Sequence, residues 1–164
     1  LNVRRVDDYV QYWHDFVFIP GTKAAIATFR NIFKYILVFT NQQGVAKARM
    51  TLQELESIHG QMLSELHNQI DRVYACIHHR DDHCNCRKPN TKMLEMAQKD
   101  FPQIDYKKSL MVGDSMSDMV FGKRVGATTV MVCADAFPHG DEASHDVDFV
   151  VASLTELADR LVVQ

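Results

Sequence analysis

The chain has 164 residues, of which 46% are apolar and 24% are charged, and its formal net charge is −3. A chain of this size is expected to form a single domain, 1–164, with a buried core. No basic stripe indicates a nucleic-acid partner, and no apolar run is long enough to span a membrane. No signal peptide is apparent either. Four cysteines, three of them clustered beside histidine, fit a reducing compartment with a metal better than a disulfide framework, so we expect a cytoplasmic protein.

The apolar residues predict strands and helices in alternation along the chain. Short apolar runs indicate five strands, at 35–39, 72–77, 109–113, 128–132 and 148–153. Helical patterns indicate helices over 20–33, from Thr51 onwards, over 91–101, over 118–127 and after the last strand. Such alternation predicts an α/β fold, in which a parallel sheet carries helices on both faces.

The sequence also predicts where the second helix begins and which residues of the first two helices and the first strand are buried. The second begins with a capping box, in which Thr51 caps the helix and Glu54 lies three residues on. We expect strand 35–39 to be covered on both faces. The predicted buried residues are Ala24, Ile26, Ala27 and Phe29 in the first helix and Leu52, Leu55, Ile58, Met62, Leu63 and Leu66 in the second.

Polar residues follow the first predicted strand. In parallel sheets, binding sites collect at the carboxyl ends of the strands. Here the strand is followed by Thr40, Asn41, Gln42, Gln43 and Gly44. A hydroxyl, amides and a glycine turn can bind an anion through side chains and backbone N–H groups. The alternative is a polar turn that is stabilised by its own side chains.

Cysteine and histidine cluster after the second strand. Cys76, His78, Cys84 and Cys86 offer three thiolates and one imidazole, a normal ligand set for tetrahedral zinc. All four positions of such an ion would be filled, so the site would be structural. The alternatives are reduced cysteines that line a loop or, less favoured, a disulfide. We expect the neighbouring histidines, His79 and His83, to face solvent.

Two cations follow the cysteine cluster directly. Lys88 lies two residues beyond Cys86 and just before Pro89, which favours an extended backbone at the lysine. A metal-stapled loop on one side and proline on the other would aim Arg87 and Lys88 at something negative. The alternative is a lysine that forms an ordinary surface salt bridge.

Two aspartates follow the third strand. Asp114 comes directly after a strand and its glycine, and Asp118 lies four residues on, where a helix is predicted to begin. Carboxylates in this position suit Mg²⁺, which takes one or two carboxylates together with phosphate oxygens and water. Asp118 could instead be only a helix N-cap. Together, the three strand ends supply the groups that phosphoryl transfer needs.

These motifs resemble those of the haloacid dehalogenase (HAD) superfamily of phosphohydrolases. The segment "VFTNQQG" is similar to its second motif, Lys88 to its third and "MVGDSMSD" to its fourth. The Cys-x-His…Cys-x-Cys-Arg-Lys-Pro loop resembles that of its zinc-loop subgroup, the heptose-bisphosphate and histidinol-phosphate phosphatases. The opening segment 1–21 is also similar to the one that follows the first motif in those enzymes.

The resemblance implies a Rossmann-like fold with little or no cap, an aspartyl-phosphate intermediate, Mg²⁺ and structural zinc. By match of motif, Thr40 and Asn41 would hold the phosphoryl group, while Gln42 and Arg87 would contact substrate. Lys88 would neutralise nucleophile and phosphate, and Asp114 would bind Mg²⁺ with Asp118 in support. The implied substrate is the 7-phosphate of D-glycero-D-manno-heptose 1,7-bisphosphate, with histidinol phosphate as the alternative.

Two positions depart from the family pattern. The first motif, Asp-x-Asp-Gly-Thr, carries the nucleophile on the central strand, and we expect it to precede Leu1. The alternative is a catalytically inactive relative that binds a phosphate ligand or a partner. Ser115 stands where the family often has lysine or arginine, which bears on the substrate. We expect a monomer because no apolar seam is apparent, and we assign no role to Cys133.

Overall fold

The computed structural model describes residues 1–3, 9–134 and 143–163. These residues belong to two compact units, Leu1–Cys84 and Asn85–Gln164, which are described separately below. Part of the opening segment, 4–8, lies outside the described residues. No helix in the described ranges is long and apolar enough to cross a membrane.

The first unit contains two helices and a two-stranded parallel sheet. In chain order its elements are α1 (Thr22–Ile32), β1 (Leu37–Asn41), α2 (Leu52–Glu65) and β2 (Arg72–Cys76), with 3-10 turns at Trp13–Asp15 and Arg80–Asp82. In the sheet, Thr40 lies opposite Ala75 and Asn41 opposite Cys76. The polar end of β1 and the first cysteine of the loop therefore lie side by side.

The capping box of α2 is confirmed. Thr51 Oγ1 accepts from the Glu54 N–H at 3.1 Å, and Glu54 Oε2 accepts from the Thr51 N–H at 2.7 Å. Leu55, Ile58 and Met62 are buried as predicted. Leu52, by contrast, is 46% exposed; it is the first residue of the helix, where no preceding turn covers it.

Other expectations for the first unit were wrong in detail. In α1, Ile26 and Phe29 are buried as predicted, but Ala24 is exposed and Ala27 is only partly buried. Thr22 and Ala25 complete the buried face instead, because Thr22, Ala25, Ile26 and Phe29 follow the i, i+3, i+4, i+7 spacing of one helical face. Strand β1 begins at Leu37, two residues late, and is half-buried along its length rather than covered. Met50, Leu55 and Ile58 form a core against which Trp13 packs, so the opening segment covers α2.

The second unit contains a three-stranded parallel sheet and three helices. Its elements are α3 (Lys92–Asp100), β3 (Leu110–Gly113), α4 (Met116–Lys123), β4 (Thr128–Val132), β5 (Phe149–Val151) and α5 (Leu154–Val162), with 3-10 turns at Tyr106–Lys108 and Ala143–Asp146. The strand order is β3-β4-β5. The core residues of this unit include Met93, Leu94, Met119, Phe121 and Val130.

The predicted parallel pairing is confirmed, although the strands form two sheets rather than one. Among the described residues, β1 pairs only with β2, and β3 pairs on one side only, with β4. The sequence pattern shows which segments are strands but not which strands are neighbours. Each of β1 and β3 thus has one edge without a strand partner among the described residues.

A polar network joins α4, β4 and β5 in the second unit. Asp148, just before β5, accepts from Lys123 Nζ at 2.6 Å and from the Thr129 N–H at 2.8 Å. The Thr129 hydroxyl, fully buried, donates to the Asp146 carbonyl at 2.7 Å. The hydrogen bond from Lys123, followed by that from Thr129, holds the pKa of Asp148 below its usual value of 3.8.

We therefore expect Asp148 to make folding stability depend on acid pH. A lowered pKa in the folded state means that the contribution is present above about pH 4 and is lost as the pH falls through the folded-state pKa. Asp148→Asn should lower Tm by a few degrees at pH 7 and reduce the loss of Tm between pH 5 and 3. Thermal unfolding across this range tests the prediction, with the exposed Asp159→Asn as the matched control for charge. Equal pH curves for wild type and Asp148→Asn would contradict it.

Candidate active site

A buried ion pair lies at the centre of the second unit's polar residues. Lys88 Nζ lies 2.6 Å from Asp118 Oδ1, and the two side chains are only 13% and 7% exposed. An ion pair this short and this dry is costly to desolvate and persists only when its geometry is well fixed. Lys88 therefore does not form an ordinary surface salt bridge, which was the alternative to a lysine held in place for an anion.

The position of the Asp118 side chain depends on a glycine and a serine. A Cβ atom on Gly113 would lie 2.4 Å from Asp118 Cβ and 2.6 Å from its carboxylate, so only glycine leaves room for this side chain. Ser115 Oγ donates to Asp118 Oδ2 at 2.7 Å. Asp118 is not a helix N-cap: Ser115 occupies that position because α4 begins at Met116, two residues before its predicted start. The carboxylate lies in the first helical turn, where the dipole also favours its charge.

Asp114 has a different environment from Asp118. It follows β3 directly and is exposed. No hydrogen bond or ion pair to another described residue holds its carboxylate. An accessible carboxylate at the carboxyl end of a parallel strand is the arrangement that a hard cation uses, so Asp114 fits Mg²⁺ in its ligand chemistry.

Arg87 and Lys88 belong to a tight turn. The Asn90 N–H donates to the Arg87 carbonyl at 2.8 Å, which makes 87–90 a β-turn with Lys88 as its second residue. The Lys88–Pro89 peptide bond is cis. Arg87 Nη1 is buried and has no hydrogen-bond partner among the described residues. A buried donor of this kind is costly, and an anionic ligand would satisfy it.

In the first unit, the polar residues at the end of β1 and just after it bond partly to one another; Thr40 and Asn41, predicted to follow the strand, form its last two positions. Gln42 Nε2 donates to Thr40 Oγ1 at 3.0 Å, and Gln43 Nε2 donates to Tyr9 Oη at 3.1 Å. These contacts are what a self-stabilised polar turn would show. However, a hydroxyl that accepts one hydrogen bond can still donate its own proton, so Thr40 keeps a donor for an anion. Gln43 Oε1 is buried without a partner in the described chain.

The four predicted zinc ligands converge in their loop. One ligand atom from each of Cys76, His78, Cys84 and Cys86 lies within 4.8 Å of the others. Cys76 Sγ is 3.4 Å from Cys84 Sγ and 3.7 Å from His78 Nδ1. Sulfurs held at about 2.3 Å from a tetrahedral ion lie roughly 3.8 Å apart, which is near these two distances, and the donor set fits zinc in number and type.

The structure also corrects two details of this loop. Cys76 and Cys86 are paired as a disulfide in this structure, the alternative that the sequence favours less, because the folded loop brings the two sulfurs together. His79 does not simply face solvent: its Nδ1 accepts from the Asp81 N–H at 3.3 Å and caps the 3-10 turn. His83 is exposed, as expected.

Known proteins place the chain in a family. Residues 85–157 match the family model described as HAD-hydrolase-like. The chain is 33% identical over 161 residues to a D-glycero-alpha-D-manno-heptose-1,7-bisphosphate 7-phosphatase of Mycobacterium bovis, an alignment that covers 96% of this chain and 84% of that protein. The chain belongs to the HAD hydrolase family. The predicted α/β fold and family resemblance are thereby confirmed.

Two further relatives refine the position within the HAD hydrolases. A D-glycero-beta-D-manno-heptose-1,7-bisphosphate 7-phosphatase of Salmonella typhi is 30% identical, over 93% of this chain and 86% of its own. The crystal structure of the D,D-heptose 1,7-bisphosphate phosphatase of B. bronchiseptica, complexed with magnesium and phosphate, is 25% identical with a TM-score of 0.81. It matches 98% of this chain and 92% of its own.

The close approach of β3 and α4 yields a sharp prediction about Gly113. Gly113→Ala should push Asp118 out of its seat and destabilise the fold by roughly 1–3 kcal/mol, the usual cost of overpacking. The matched control is Gly60→Ala in the middle of α2, where an added Cβ meets nothing within 4 Å. That change should raise stability by about 0.5–1 kcal/mol because alanine favours a helix over glycine. Denaturant unfolding of both variants is the test, and equal effects would refute the steric account.

Proposed function

We propose that the chain is a Mg²⁺-dependent phosphatase domain that hydrolyses a sugar phosphate, namely the 7-phosphate of D-glycero-D-manno-heptose 1,7-bisphosphate. The buried Lys88–Asp118 pair, beside a turn whose Arg87 has an unpartnered buried donor, carries this proposal. Such cations suit a dianionic phosphate, and relatives over nearly the whole chain are named as phosphatases of this substrate.

Each site residue has a proposed role. Asp114 would hold Mg²⁺, which when bound neutralises phosphate oxygens and so favours attack on phosphorus. Lys88 would stabilise the negative charge of the phosphoryl group, and its own position is fixed by Asp118. Arg87 would bind substrate phosphate through its buried guanidinium. Thr40, Asn41 and Gln42 would donate hydrogen bonds to the phosphoryl oxygens.

The overall reaction is a hydrolysis. The ester P–O bond breaks, water supplies the oxygen that ends on inorganic phosphate, and a proton ends on the sugar oxygen. In phosphoryl transfer most of the catalysis comes from positioning and charge neutralisation. Fixed cations on a rigid turn meet that requirement better than mobile surface lysines would.

We further propose that Cys76, His78, Cys84 and Cys86 bind a structural zinc ion in a reducing, cytoplasmic setting. The convergence of their four ligand atoms within 4.8 Å supports this. Zinc and a Cys76–Cys86 disulfide are mutually exclusive, since zinc binds thiolates. The ion would staple the loop that leads to Arg87 and Lys88. We also propose a monomer.

Substitutions at Lys88 and Asp114 test the phosphatase proposal. Lys88→Ala and Asp114→Asn should each lower kcat for heptose 1,7-bisphosphate at least 100-fold, since each removes charge stabilisation. The full-length protein is assayed by phosphate release with Mg²⁺. Lys108→Ala, which removes an 85% exposed lysine, is the matched control and should leave kcat unchanged.

Because Lys88→Ala leaves Asp118 buried without its cation, Lys88→Arg is measured alongside it. This variant keeps the ion pair but misplaces the charge, so it should fold as the wild type does and still lose most activity. Near-normal turnover in Lys88→Arg or Asp114→Asn would contradict the proposed roles. Ligand-induced stabilisation of the wild type with no turnover would instead identify an inactive phosphate-binding relative.

A side-by-side substrate assay tests the choice of sugar phosphate. Both anomers of heptose 1,7-bisphosphate are compared with histidinol phosphate, since the named relatives include both anomeric types. We expect kcat/KM to be at least 10-fold higher for one of the heptose substrates. Preference for histidinol phosphate would overturn the substrate while leaving the phosphatase activity intact.

Metal analysis and thiol counting test the zinc proposal. Protein purified under reducing conditions should contain one zinc ion per chain, and a chelator should release it together with three reactive thiols. Cys84→Ser should bind zinc much more weakly, whereas Cys133→Ser, outside the cluster, is the matched control. A protein that holds no zinc and retains a Cys76–Cys86 disulfide under reducing conditions would refute the proposal.

A further inference from the structure

Arg124, the C-cap residue of α4, contacts the β-turn that contains Lys88. Arg124 Nη1 donates to the Pro89 carbonyl at 2.8 Å and to Asn90 Oδ1 at 3.2 Å. These are the third and fourth residues of the β-turn 87–90. Both hydrogen bonds come from a charged donor, which makes each of them stronger than a neutral one.

The first turn of α4 also contacts this β-turn. Asp118 in the first turn of α4 pairs with the Lys88 side chain, while Arg124 at the C-cap holds the backbone just after it. The two residues are six positions apart, or about 9 Å along a helix. Helix α4 thus fixes both the ammonium of Lys88 and the peptide that follows it.

We propose that Arg124 is a positioning residue for Lys88, acting through Pro89 and Asn90 rather than by touching substrate. The inference rests on the proposed phosphatase function. Without Arg124 the turn would keep its Asn90–Arg87 hydrogen bond but lose the contacts that anchor it to α4. The ammonium would then sample several positions, and the transition state is more sensitive to such misplacement than substrate binding is.

Arg124 is an exposed side chain, so its loss opens no cavity in the core. A fold-wide effect is therefore not expected from Arg124→Met, which keeps a comparable aliphatic stem. Lys123→Met is the matched control. It removes the neighbouring cation of the same helix, whose hydrogen bond goes to Asp148 and not to the turn.

The kinetic test compares wild type, Arg124→Met, Arg124→Lys and Lys123→Met in the full-length protein. In Arg124→Met, kcat should fall roughly 5- to 20-fold with KM within about twofold, because two charge-assisted bonds to the turn are lost. Arg124→Lys should recover part of kcat, since one ammonium can still donate to the Pro89 carbonyl. Lys123→Met should keep wild-type kcat.

A second readout does not depend on activity. The Asn90 amide reports the turn directly because it donates to the Arg87 carbonyl. Its hydrogen exchange should be at least fivefold faster in Arg124→Met than in wild type and unchanged in Lys123→Met. If exchange responds but the wild type hydrolyses no sugar phosphate, the proposed function fails while the anchoring of the turn stands. Unchanged kcat and unchanged Asn90 exchange in Arg124→Met would overturn the inference.

Discussion

The ion pair between Lys88 and Asp118 sets the requirements that the rest of the second unit meets. Removing two charges from water costs several kcal/mol per ion, and their attraction offsets this only in good geometry. A packed apolar pair of the same volume would stabilise the fold at least as well. The pair is therefore better understood as a device that holds one ammonium at a fixed point than as a source of stability.

Close backbone approach is the means by which that geometry is reached. A Cβ on Gly113 would collide with Asp118, and one on Gly122 would lie 2.5 Å from Met111 Cβ. Both glycines lie where α4 rests on β3, so the helix comes closer to the strand than side chains normally allow. The first of them leaves room for the carboxylate at the strand's end, and the second lets the end of the helix lie directly against Met111. Glycine is thus used for space here, not for an unusual φ.

Local patterns predicted what local interactions decide. The capping box at Thr51 and Glu54 involves residues three apart, and strand 128–132 was predicted with its observed limits because its apolar run is bounded by turn residues. The sequence was uninformative where contacts between residues far apart in the chain decide the structure. No sequence pattern near Asp118 predicts that it pairs with Lys88, which lies thirty positions earlier. Arg124 gave no signal at all, since its partners lie 34 and 35 residues away and follow no helical or strand period.

The formal charges of the proposed site are consistent with a role for a divalent metal ion. Arg87 and Lys88 contribute +2, and Asp118 and Asp114 contribute −2, so these four side chains sum to zero. With no net charge, these four side chains attract a dianionic phosphate only through the orientation of their donors, which is weaker than attraction by a net positive charge. A divalent cation on Asp114 would make the sum +2, which matches a phosphate dianion. Asp118 meanwhile reduces the repulsion between the two adjacent cations of the turn. In the proposed site the two aspartates would therefore differ in role: the buried Asp118 fixes a cation of the protein, and the exposed Asp114 would bind a cation from solution.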